Sequence, residues 1–518
     1  MYWNWRVGSD LRLIRLVEYL QAFDKNVMRE LLRKLKIDYL LVNSTNEYLV
    51  EYSNLSENAR YTLTGFSGST GDALITMDKI YLFVDGRYHV QAEQEIKDGI
   101  ELVKLQLGQK QDDEIRKLLN PKKTLGIVAK KVSQARLETF RGYKIKLLKE
   151  DPINNFTEKH LDSYEIAFRP KDYKFEKTTF LSNLEEVSYL TGYRDFSNDY
   201  SSKIWAKMAI NGDMILFTDN RACEDYLKQF NGELVVDKNT ISAYDYSLIK
   251  KPIHKLSEIK SLKSVKTDAE IEAYKQAFAK TDKALNAVRK FIEEADCPSE
   301  YDIEKALRES FKKQGAKCLS FKPIIAINKH SALAHYSKSS KRTKLKDGDL
   351  VLIDCGAYFE SGLATDITRV FVKGQPNELQ KQVYTKVLQA FLNAYNSEAK
   401  TGYELDSLAH EVLDGSIKNF VFSHGLGHGI GINVHEAPPA LNQSEIAKQE
   451  FKENMCYTIE PGLYNSSKFG VRLENSCYRM DGKNQSFTNM GFERKLIDFK
   501  MLSGQEKQWL KDFKLLWK

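Results

Sequence analysis

The sequence predicts a mixed α/β (α+β) fold, with two smaller α/β domains ahead of a larger α+β domain. In the first half, short apolar runs alternate with segments of helical periodicity, which is typical of an α/β layer around a largely parallel or mixed sheet. From Leu262 onward, amphipathic helical segments precede short strands rich in β-branched residues, which favours an antiparallel-rich, curved sheet with helices outside it. The length of 518 residues suits roughly three domains of ordinary size.

The composition is that of an ordinary globular protein, with 42% hydrophobic and 29% charged residues. The net charge of +7 is spread along the chain, with lysines among glutamates, so we expect no nucleic-acid partner. No apolar run has the length of a membrane span, and the first residues lack a signal-peptide core, so we expect no membrane partner. Six cysteines without a C-x-x-C pair indicate a reduced, cytoplasmic protein with buried thiols.

The first domain is predicted for residues 25–150, after an N-terminal extension at 1–24. A helix pattern begins at about Val27 and leads into a buried strand. The glycine-rich stretch T-G-F-S-G-S-T-G lacks the Gly-Lys-Thr/Ser ending of a phosphate loop, so we interpret it as a turn. The predicted strands are Asp38–Val42, Ala73–Thr76 and Ile80–Val84.

A second, smaller α/β domain is predicted at 158–262, a third domain at 263–485, and a closing segment at 486–518. In the third domain, Thr267 or Asp268 caps the first helix, and Ser299 begins the next one. Further helices are predicted at Glu378–Asn396 and Glu404–Leu413. The predicted strands are Ile324–Ile327, Leu350–Asp354, Thr368–Val372, Ile430–Val434, Tyr457–Glu460 and Val471–Glu474.

The stretch Ser423–Pro438, S-H-G-L-G-H-G-I-G-I-N-V-H-E-A-P, concentrates three of the nine histidines: His424, His428 and His435. Its glycines allow close approach of backbone and ligand. The alternating isoleucines and valine predict a strand buried on one face, beside which a neutral imidazole can bind a metal ion. Taken alone, the stretch is equally consistent with a glycine-rich turn that carries core histidines.

Two predicted hairpins flank this stretch, and each carries two carboxylates. L-V-L-I-D ends at Asp354, and Asp366 opens D-I-T-R-V-F-V; Y-T-I-E ends at Glu460, and G-V-R-L-E ends at Glu474. A buried, unpaired carboxylate costs several kcal/mol, so four that converge require cations. Two divalent ions would balance the four negative charges, and His428 supplies the one nitrogen ligand.

These residues resemble the five-ligand set of the pita-bread metallopeptidases, in the order Asp354, Asp366, His428, Glu460, Glu474. Within that group, H-G-L-G-H-G-I-G-I-N-V-H-E, Y-T-I-E-P-G-L-Y and G-V-R-L-E-N resemble the aminopeptidase P (Xaa-Pro aminopeptidase) family, large three-domain type. The resemblance runs from about Val27 to near the end of the chain. It implies a C-terminal pita-bread domain preceded by two creatinase-like α/β domains.

The resemblance also implies a function: release of the N-terminal residue from peptides with proline in the second position, through a metal-bridging hydroxide. The mostly oxygen ligand set suits two Mn²⁺ ions, although cobalt or zinc could bind in vitro. Glu460 would pass the water's proton to the leaving nitrogen. His335 would line the proline pocket, and His424 resembles a further active-site histidine. His435 would hydrogen-bond the carbonyl oxygen as charge develops.

Arg472 alternates with Glu474 along one strand, so we expect it on the same face, as a clamp on a ligand carboxylate. The segment between Asp354 and Asp366 is one residue longer than the usual hairpin of the family, and a bulge at the turn is the expected accommodation. By resemblance, the partners are peptide substrates and a second copy of the chain.

Other functions stay open at this point. A prolidase would use the same metals but cleave only Xaa-Pro dipeptides. A creatinase-like amidinohydrolase shares the fold without the full metal set, and some pita-bread proteins are non-catalytic binding modules that usually lack these ligands. Metal content distinguishes the binding modules from the enzymes.

Overall fold

The structure is a computed structural model that describes residues 25–51, 54–106, 108–154 and 164–516. The predicted extension at 1–24 lies outside the described residues. The chain divides into two compact units. The first comprises the described residues up to 154 together with 172–187 and 205–257, and the second comprises 164–171, 188–204 and 258–516.

A six-stranded mixed sheet lies at the centre of the first unit, as the alternation of strands and helices predicts. Asp72–Ile75 runs antiparallel to both of its neighbours, and the remaining pairs are parallel. In spatial order the strands are Ile100–Lys104, Ile80–Val84, Asp72–Ile75, Tyr39–Val42, Thr124–Val128 and Lys144–Leu148. The helices are Lys25–Leu35, Ala59–Thr64, His89–Glu95, Gln111–Leu118 and Gln134–Thr139.

A second, five-stranded mixed sheet completes this unit. In spatial order its strands are Asp213–Phe217, Lys207–Asn211, Thr179–Leu181, Leu234–Val236 and Pro252–His254. Its helices are Asn220–Gln229 and Ala243–Leu248, and the helix Leu184–Thr191 begins in this unit. Phe180, Ala209 and Leu234 pack with Leu227 of the longer helix to form the core of this layer.

Three helices of the second unit begin where the sequence predicts, at Asp268, Glu300 and Glu378, whereas the helix predicted from Glu404 begins two residues earlier, at Gly402. Thr267 and Ser299 are N-caps, and each forms a capping box with the residue three positions on, which satisfies backbone donors that the first turn leaves free. The helices are Ile259–Ser264, Asp268–Glu294, Glu300–Lys313, Glu378–Tyr395, Gly402–Leu413 and Gly504–Trp509.

The strands of the second unit pair mainly as antiparallel hairpins, with one short parallel pair near the C-terminus. The longer ones, which carry most of the site, are Ile324–Ile327, Leu350–Cys355, Ile367–Val372, Cys456–Ile459, Gly462–Tyr464, Gly470–Arg472, Asn475–Met480 and Lys483–Ser486. The short ones are Glu165–Ile166, Tyr193–Arg194, Cys318–Leu319, Ala357–Tyr358, Gly427–His428, Ala440–Leu441, Phe492–Glu493 and Leu515–Leu516.

The strand Leu350–Cys355 is buried on both faces, which explains its continuous apolar sequence. Leu350 and Leu352 pack against the helix Glu378–Tyr395. On the opposite face, Val351 and Ile353 pack against the helices Asp268–Glu294 and Glu300–Lys313. Because side chains alternate along a strand, Asp354 lies on the same face as Leu350 and Leu352. The fold therefore places this carboxylate inside the core.

The strand predicted at Ile430–Val434 is wrong: the strand is Gly427–His428, and the following residues form bends. The isoleucines and the valine are buried as predicted, but the backbone turns around the carboxylate of Glu436. Oε2 of Glu436 accepts a hydrogen bond from the amide of Ile432 at 2.9 Å. A Cβ on Gly431 would lie 1.9 Å from Oε1, so the turn requires glycine there.

The bulge expected in the longer hairpin is also wrong. Cys355 pairs with Ile367 and Tyr358 bridges Ala364, so three steps along one arm match three steps along the other. The hairpin closes through the turn at 359–363, where Gly362 has a positive φ of 64°. Both arms are buried, and a shift of register would exchange their buried faces.

Two of the six cysteines are not buried as predicted: Cys297 is exposed and Cys318 is half-buried. Cys297 lies in the turn between two long helices, where neither helix covers it. The other four are buried free thiols. Within the described residues, no helix combines the length and apolar character needed to cross a bilayer.

Candidate metal centre

The first hairpin brings Asp354 and Asp366 together. Asp354 pairs with Thr368, and Asp366 precedes Thr368 by two residues, so the two carboxylates are diagonal neighbours on one face. Both are buried, with exposed fractions of 8% and 4%. Gly356 makes the close pairing possible, because a Cβ there would lie 1.8 Å from the carbonyl oxygen of Thr365.

The second hairpin places Glu460 opposite Glu474. Ile459 pairs with Asn475, and Gly462 pairs with Arg472, so the register is continuous between them. The hydroxyl of Thr368 donates to Oε2 of Glu474 at 2.8 Å, which ties this hairpin to the first one. The amide of Glu474 also donates to the carbonyl oxygen of Thr368 at 3.2 Å, so backbone and side chain of this threonine both join the predicted hairpins.

His428 reaches both hairpins. Its Nδ1 donates a hydrogen bond to the carbonyl oxygen of Gly429 at 3.1 Å, so in the neutral ring Nε2 is the unprotonated nitrogen, the kind that binds metal ions. Nε2 lies 3.5 Å from Asp366 and 3.4 Å from Glu460. One ligand atom each from Asp366, His428 and Glu474 lie within 4.8 Å of one another, the spacing of a potential metal site.

Three carboxylates of this cluster each have one buried oxygen that accepts no hydrogen bond from the described residues. Among the described residues, no hydrogen-bond donor reaches Oδ1 of Asp354, Oδ1 of Asp366 or Oε1 of Glu474, all of which are buried. Burial raises the pKa of Asp366 and of Glu474 well above its ordinary value, and the neighbouring carboxylates add to the effect. Burial also raises the pKa of Glu460 to about 7.

Divalent cations fit this arrangement. Four carboxylates, three of which carry a buried oxygen without a hydrogen-bond donor, form a hard, mostly oxygen donor set together with the imidazole of His428. A cation would replace the missing donors and would allow the carboxylates to stay ionised. The donor set therefore matches a metal centre.

Among the described residues, Arg472 is the one arginine that forms an ion pair with these carboxylates. Its Nη2 lies 2.6 Å from Oδ2 of Asp354, and its Nε donates to the hydroxyl of Thr368 at 3.2 Å. Its Nη1 donates to the hydroxyl of Tyr464 at 2.8 Å. Arg472 therefore orients the carboxylate of Asp354 by binding its Oδ2. Its single positive charge cannot balance the negative charges of four carboxylates.

The other predicted histidines lie around the cluster at different depths. The ring of His435 is 4.3 Å from that of His428, at an interplanar angle of 75°. Nε2 of His424 is 2.7 Å from the hydroxyl of Tyr464, the same hydroxyl that accepts from Arg472. His335 is half-buried and follows Ala334, whose carbonyl oxygen accepts from Arg472 at 3.3 Å.

Glu436 is a functional candidate that the sequence reasoning passed over. Its buried carboxylate lies 3.1 Å from Lys263 and 2.8 Å from Lys266, which are also buried. Burial alone would raise the pKa of Glu436, but the two lysines outweigh burial and lower the pKa to about 2. The available signal was its place directly after His435 in the histidine motif.

Asp406 is a second such residue. Its Oδ1 accepts from the amide of Leu426 at 2.8 Å, inside the turn between His424 and His428. Burial raises the pKa of Asp406. No sequence signal links Asp406 to that turn, because the two segments meet only through the packing of the helix Gly402–Leu413.

Comparison with known proteins matches two family models to the chain. The model described as metallopeptidase family M24 matches residues 272–478, and the model described as creatinase/prolidase N-terminal domain matches residues 26–149. The first match includes all five proposed metal ligands.

Similar proteins include long relatives that match nearly the whole chain. A probable Xaa-Pro aminopeptidase P from Coprinopsis cinerea is 27% identical over 587 residues, which cover 94% of this chain and 93% of the relative. Xaa-Pro aminopeptidase 1 from Dictyostelium discoideum is 26% identical and covers 95% of this chain and 92% of its own. An Xaa-Pro dipeptidase from Pyrococcus furiosus is 38% identical over 220 residues, or 42% of this chain and 61% of the relative.

Among solved structures, an X-prolyl aminopeptidase from Caenorhabditis elegans has the same fold, with a TM-score of 0.82 and 20% sequence identity. The match covers 97% of this chain and 94% of that one. That protein is described as a cytosolic enzyme with a di-nuclear active site. The likeness confirms the predicted fold class across both compact units.

Proposed function

We propose that the chain, which matches the model of metallopeptidase family M24 over residues 272–478, releases the N-terminal residue of peptides with proline in the second position. The observation that carries the proposal is that two joined hairpins bring together four carboxylates, and that His428 reaches them from a separate strand; the carboxylates are Asp354, Asp366, Glu460 and Glu474. The relatives named Xaa-Pro aminopeptidase support the substrate class, since they match 94% or more of the chain.

Two divalent metal ions, of which Mn²⁺ is the proposed species, are the cofactors. The four carboxylates and Nε2 of His428 would hold them, because they form a mostly oxygen donor set in which three carboxylates carry a buried oxygen without a hydrogen-bond donor. When bound, the ions supply Lewis-acid activation of water and of the scissile carbonyl group. Arg472 keeps Asp354 oriented for this task.

Glu460 is the proposed proton carrier. It is the half-buried member of the carboxylate set, whereas Asp366 and Glu474 are buried, so it has the best access to an incoming peptide. Its Oε1 accepts a hydrogen bond from the hydroxyl of Thr458 at 3.4 Å, which orients the carboxylate, and lies 3.4 Å from Nε2 of His428. Glu460 would take the proton of the attacking water and give it to the leaving proline nitrogen, which has no hydrogen of its own.

His435, His424 and His335 would surround the substrate. The contact of His435 with the ring of His428 places an N–H donor beside the metal ligands, where the carbonyl oxygen would gain charge. His424 is held by Tyr464, and we assign it to substrate positioning. His335 would line the pocket for the proline ring.

A prolidase is the second candidate, because the Pyrococcus furiosus dipeptidase is the relative with 38% identity over part of the chain. A prolidase acts on Xaa-Pro dipeptides and requires the free carboxylate of the proline. An aminopeptidase P accepts chains that continue beyond the proline. The long relatives favour the aminopeptidase, since the dipeptidase covers less than half of this chain.

Hydrolysis kinetics with Mn²⁺ test the proposal. We would measure kcat/KM for one Xaa-Pro dipeptide, for its extensions to three, four and five residues, and for matched peptides with alanine in the second position. We expect the extended proline peptides to be the better substrates and the alanine peptides to be inert. Preference for the dipeptide would identify a prolidase, and equal cleavage of the alanine peptides would refute proline specificity.

We also propose that the enzyme is a cytoplasmic homodimer. Light scattering of the purified chain tests the dimer. The domain boundaries at 25–150, 158–262, 263–485 and 486–518 stay a proposal that limited proteolysis can test.

A further inference from the structure

We propose that Glu300 is a positioning residue for His335, and that it acts by closing the loop 328–340 around its own buried carboxylate. The proposal rests on the proposed function, since it concerns the histidine assigned to the proline pocket. Glu300 lies at the start of the helix Glu300–Lys313, outside the metal cluster. Nothing in the motif around Asp354 or His428 points to it.

The carboxylate of Glu300 is completely buried, with an exposed fraction of 0%. No lysine or arginine of the described chain forms an ion pair with it. A buried charge without a cation is costly unless hydrogen bonds satisfy it. The acidic residue is not needed as a helix cap, because Ser299 and Asp302 already form the capping box. Its role therefore lies in what it binds.

Four donors satisfy this carboxylate, and they come from both ends and the middle of one loop. Oε1 accepts from the amide of Ile327 at 2.8 Å and from Nδ1 of His330 at 2.7 Å. Oε2 accepts from the hydroxyl of Tyr336 at 2.7 Å and from the amide of Ser340 at 2.8 Å. One carboxylate thus closes the whole segment between Ile327 and Ser340.

His335 is anchored on both sides within that segment. Before it, the carbonyl oxygen of Ala334 accepts from Arg472, which also binds Asp354. After it, Tyr336 is buried, stacks on His330 at 4.6 Å and donates to Glu300. The loop has little regular structure of its own, apart from the short 3₁₀ turn Asn328–Ala332. The position of His335 therefore depends on Arg472 on one side and on Glu300 on the other.

The first test is a double-mutant cycle of Glu300→Gln with His335→Ala, read as kcat/KM for an Xaa-Pro-Xaa peptide. Glutamine has nearly the same shape as glutamate, but its side-chain NH₂ is a donor and would face two of the four donors that the carboxylate now accepts from. We expect Glu300→Gln to lower kcat/KM about 10- to 100-fold, the effect of losing one or two charge-assisted hydrogen bonds. In the His335→Ala background the same change should alter kcat/KM by less than about twofold, because the residue it positions is absent.

Glu309→Gln is the matched control, since Glu309 is an exposed carboxylate on the same helix. It should leave kcat/KM unchanged. Tyr336→Phe removes one of the four donors and should give a smaller loss in the same direction as Glu300→Gln. An equal loss from Glu300→Gln in both backgrounds would overturn the proposal, because it would show a general structural effect.

The second test does not depend on activity. Amide hydrogen exchange of the peptide covering 328–340, followed by mass spectrometry in the substrate-free chain, reports how firmly the loop is closed. We expect at least about tenfold faster exchange there in Glu300→Gln and no change in Glu309→Gln. Unchanged exchange in Glu300→Gln would refute the proposal. An unmodified chain inactive on every Xaa-Pro peptide would instead refute the proposed function, and the exchange result would still decide the role of Glu300.

Discussion

Individual side chains decide whether the second unit can bind metal. Asp366 and Glu474 each present a buried oxygen without a hydrogen-bond donor among the described residues, and each has a raised pKa caused first by burial. Such groups destabilise a core unless a cation compensates them. A metal ion bound by these oxygens would offset the destabilisation that their burial causes.

Replacing Asp366 or Glu474 with alanine should therefore abolish peptidase activity and reduce bound metal, because each removal deletes a carboxylate that both balances charge and coordinates. Metal content would be measured by mass spectrometry of the elements, alongside hydrolysis of an Xaa-Pro-Xaa peptide. Glu411→Ala, an exposed carboxylate on the helix Gly402–Leu413, is the control and should retain both. A fully active Asp366→Ala enzyme that resists a chelator would contradict the metal centre.

His435 should behave differently from the ligands. If it donates to the developing oxyanion, His435→Ala lowers kcat by about 10²–10³, the usual loss for one such donor. Metal content should stay at the level of the unmodified chain, because the histidine proposed as the ligand is His428, whose Nε2 lies 3.5 Å from Asp366 and 3.4 Å from Glu460. The assignment fails if His435→Ala loses metal and His428→Ala keeps it.

The loop between His428 and Glu436 carries His435 and has no helix or strand, yet contacts of the Glu436 side chain fix its course. Glu436 accepts from the amide of Ile432 and binds Lys263 and Lys266, so the loop wraps around a buried ion-pair cluster. This cluster holds His435, the residue directly before Glu436. Buried charge therefore supplements the few backbone hydrogen bonds of this loop, such as that from the amide of Glu436 to the carbonyl oxygen of Gly429.

This arrangement predicts a pH dependence of stability. The pKa of Glu436 is about 2 in the folded chain against 4.5 ordinarily, so its contribution is fully present above about pH 4.5 and is lost as the pH falls towards 2. The shift corresponds to about 3 kcal/mol. Glu436→Gln should remove this component, and at pH 7 it should destabilise the chain by about 3–5 kcal/mol because two buried lysines lose their partner.

Urea unfolding midpoints at pH 7 and at about pH 2.5 measure both effects, because most of the contribution of Glu436 is lost between these two values. The unmodified chain and the control Glu450→Gln, at an exposed position, should lose stability between these values more steeply than Glu436→Gln. Parallel pH profiles for all three proteins would refute the assigned role of the cluster.

The whole molecule consists of two compact units, and all of the proposed metal ligands belong to the second. Metal binding should therefore stabilise that unit selectively, by about 2.7 kcal/mol when free metal is 100 times its dissociation constant. The first unit contains the two mixed sheets and none of the proposed ligands.

Removing metal with a chelator should accordingly speed hydrogen exchange in the peptides 350–372 and 456–480, which form the ligand hairpins. Peptides from 39–148, in the first unit, serve as the internal control and should exchange at the same rate with and without metal. Added Mn²⁺ should reverse the change. Exchange that is unaltered in the hairpins would mean that the carboxylates do not hold the ion.

Much of the site could be predicted from the sequence because its signals are local. Alternation of apolar residues and two turn signals predict the hairpins, and their register places Asp354 with Asp366 and Glu460 with Glu474. The capping residues Thr267 and Ser299 are likewise visible, since a cap and its partner lie three residues apart. The roles of the five ligands stay a proposal that the mutants above test.

The tertiary structure alone decided what holds the histidine loops. Period-two alternation predicts a strand at Ile430–Val434, but the bond between Lys266 and Glu436 joins residues 170 positions apart and bends that segment instead. Glu300 and Tyr336 are likewise distant in sequence. Local periodicity reports which side chains are buried. It cannot report which buried charge a distant donor will satisfy, because that choice is made only when the packed helices and loops bring the two groups together.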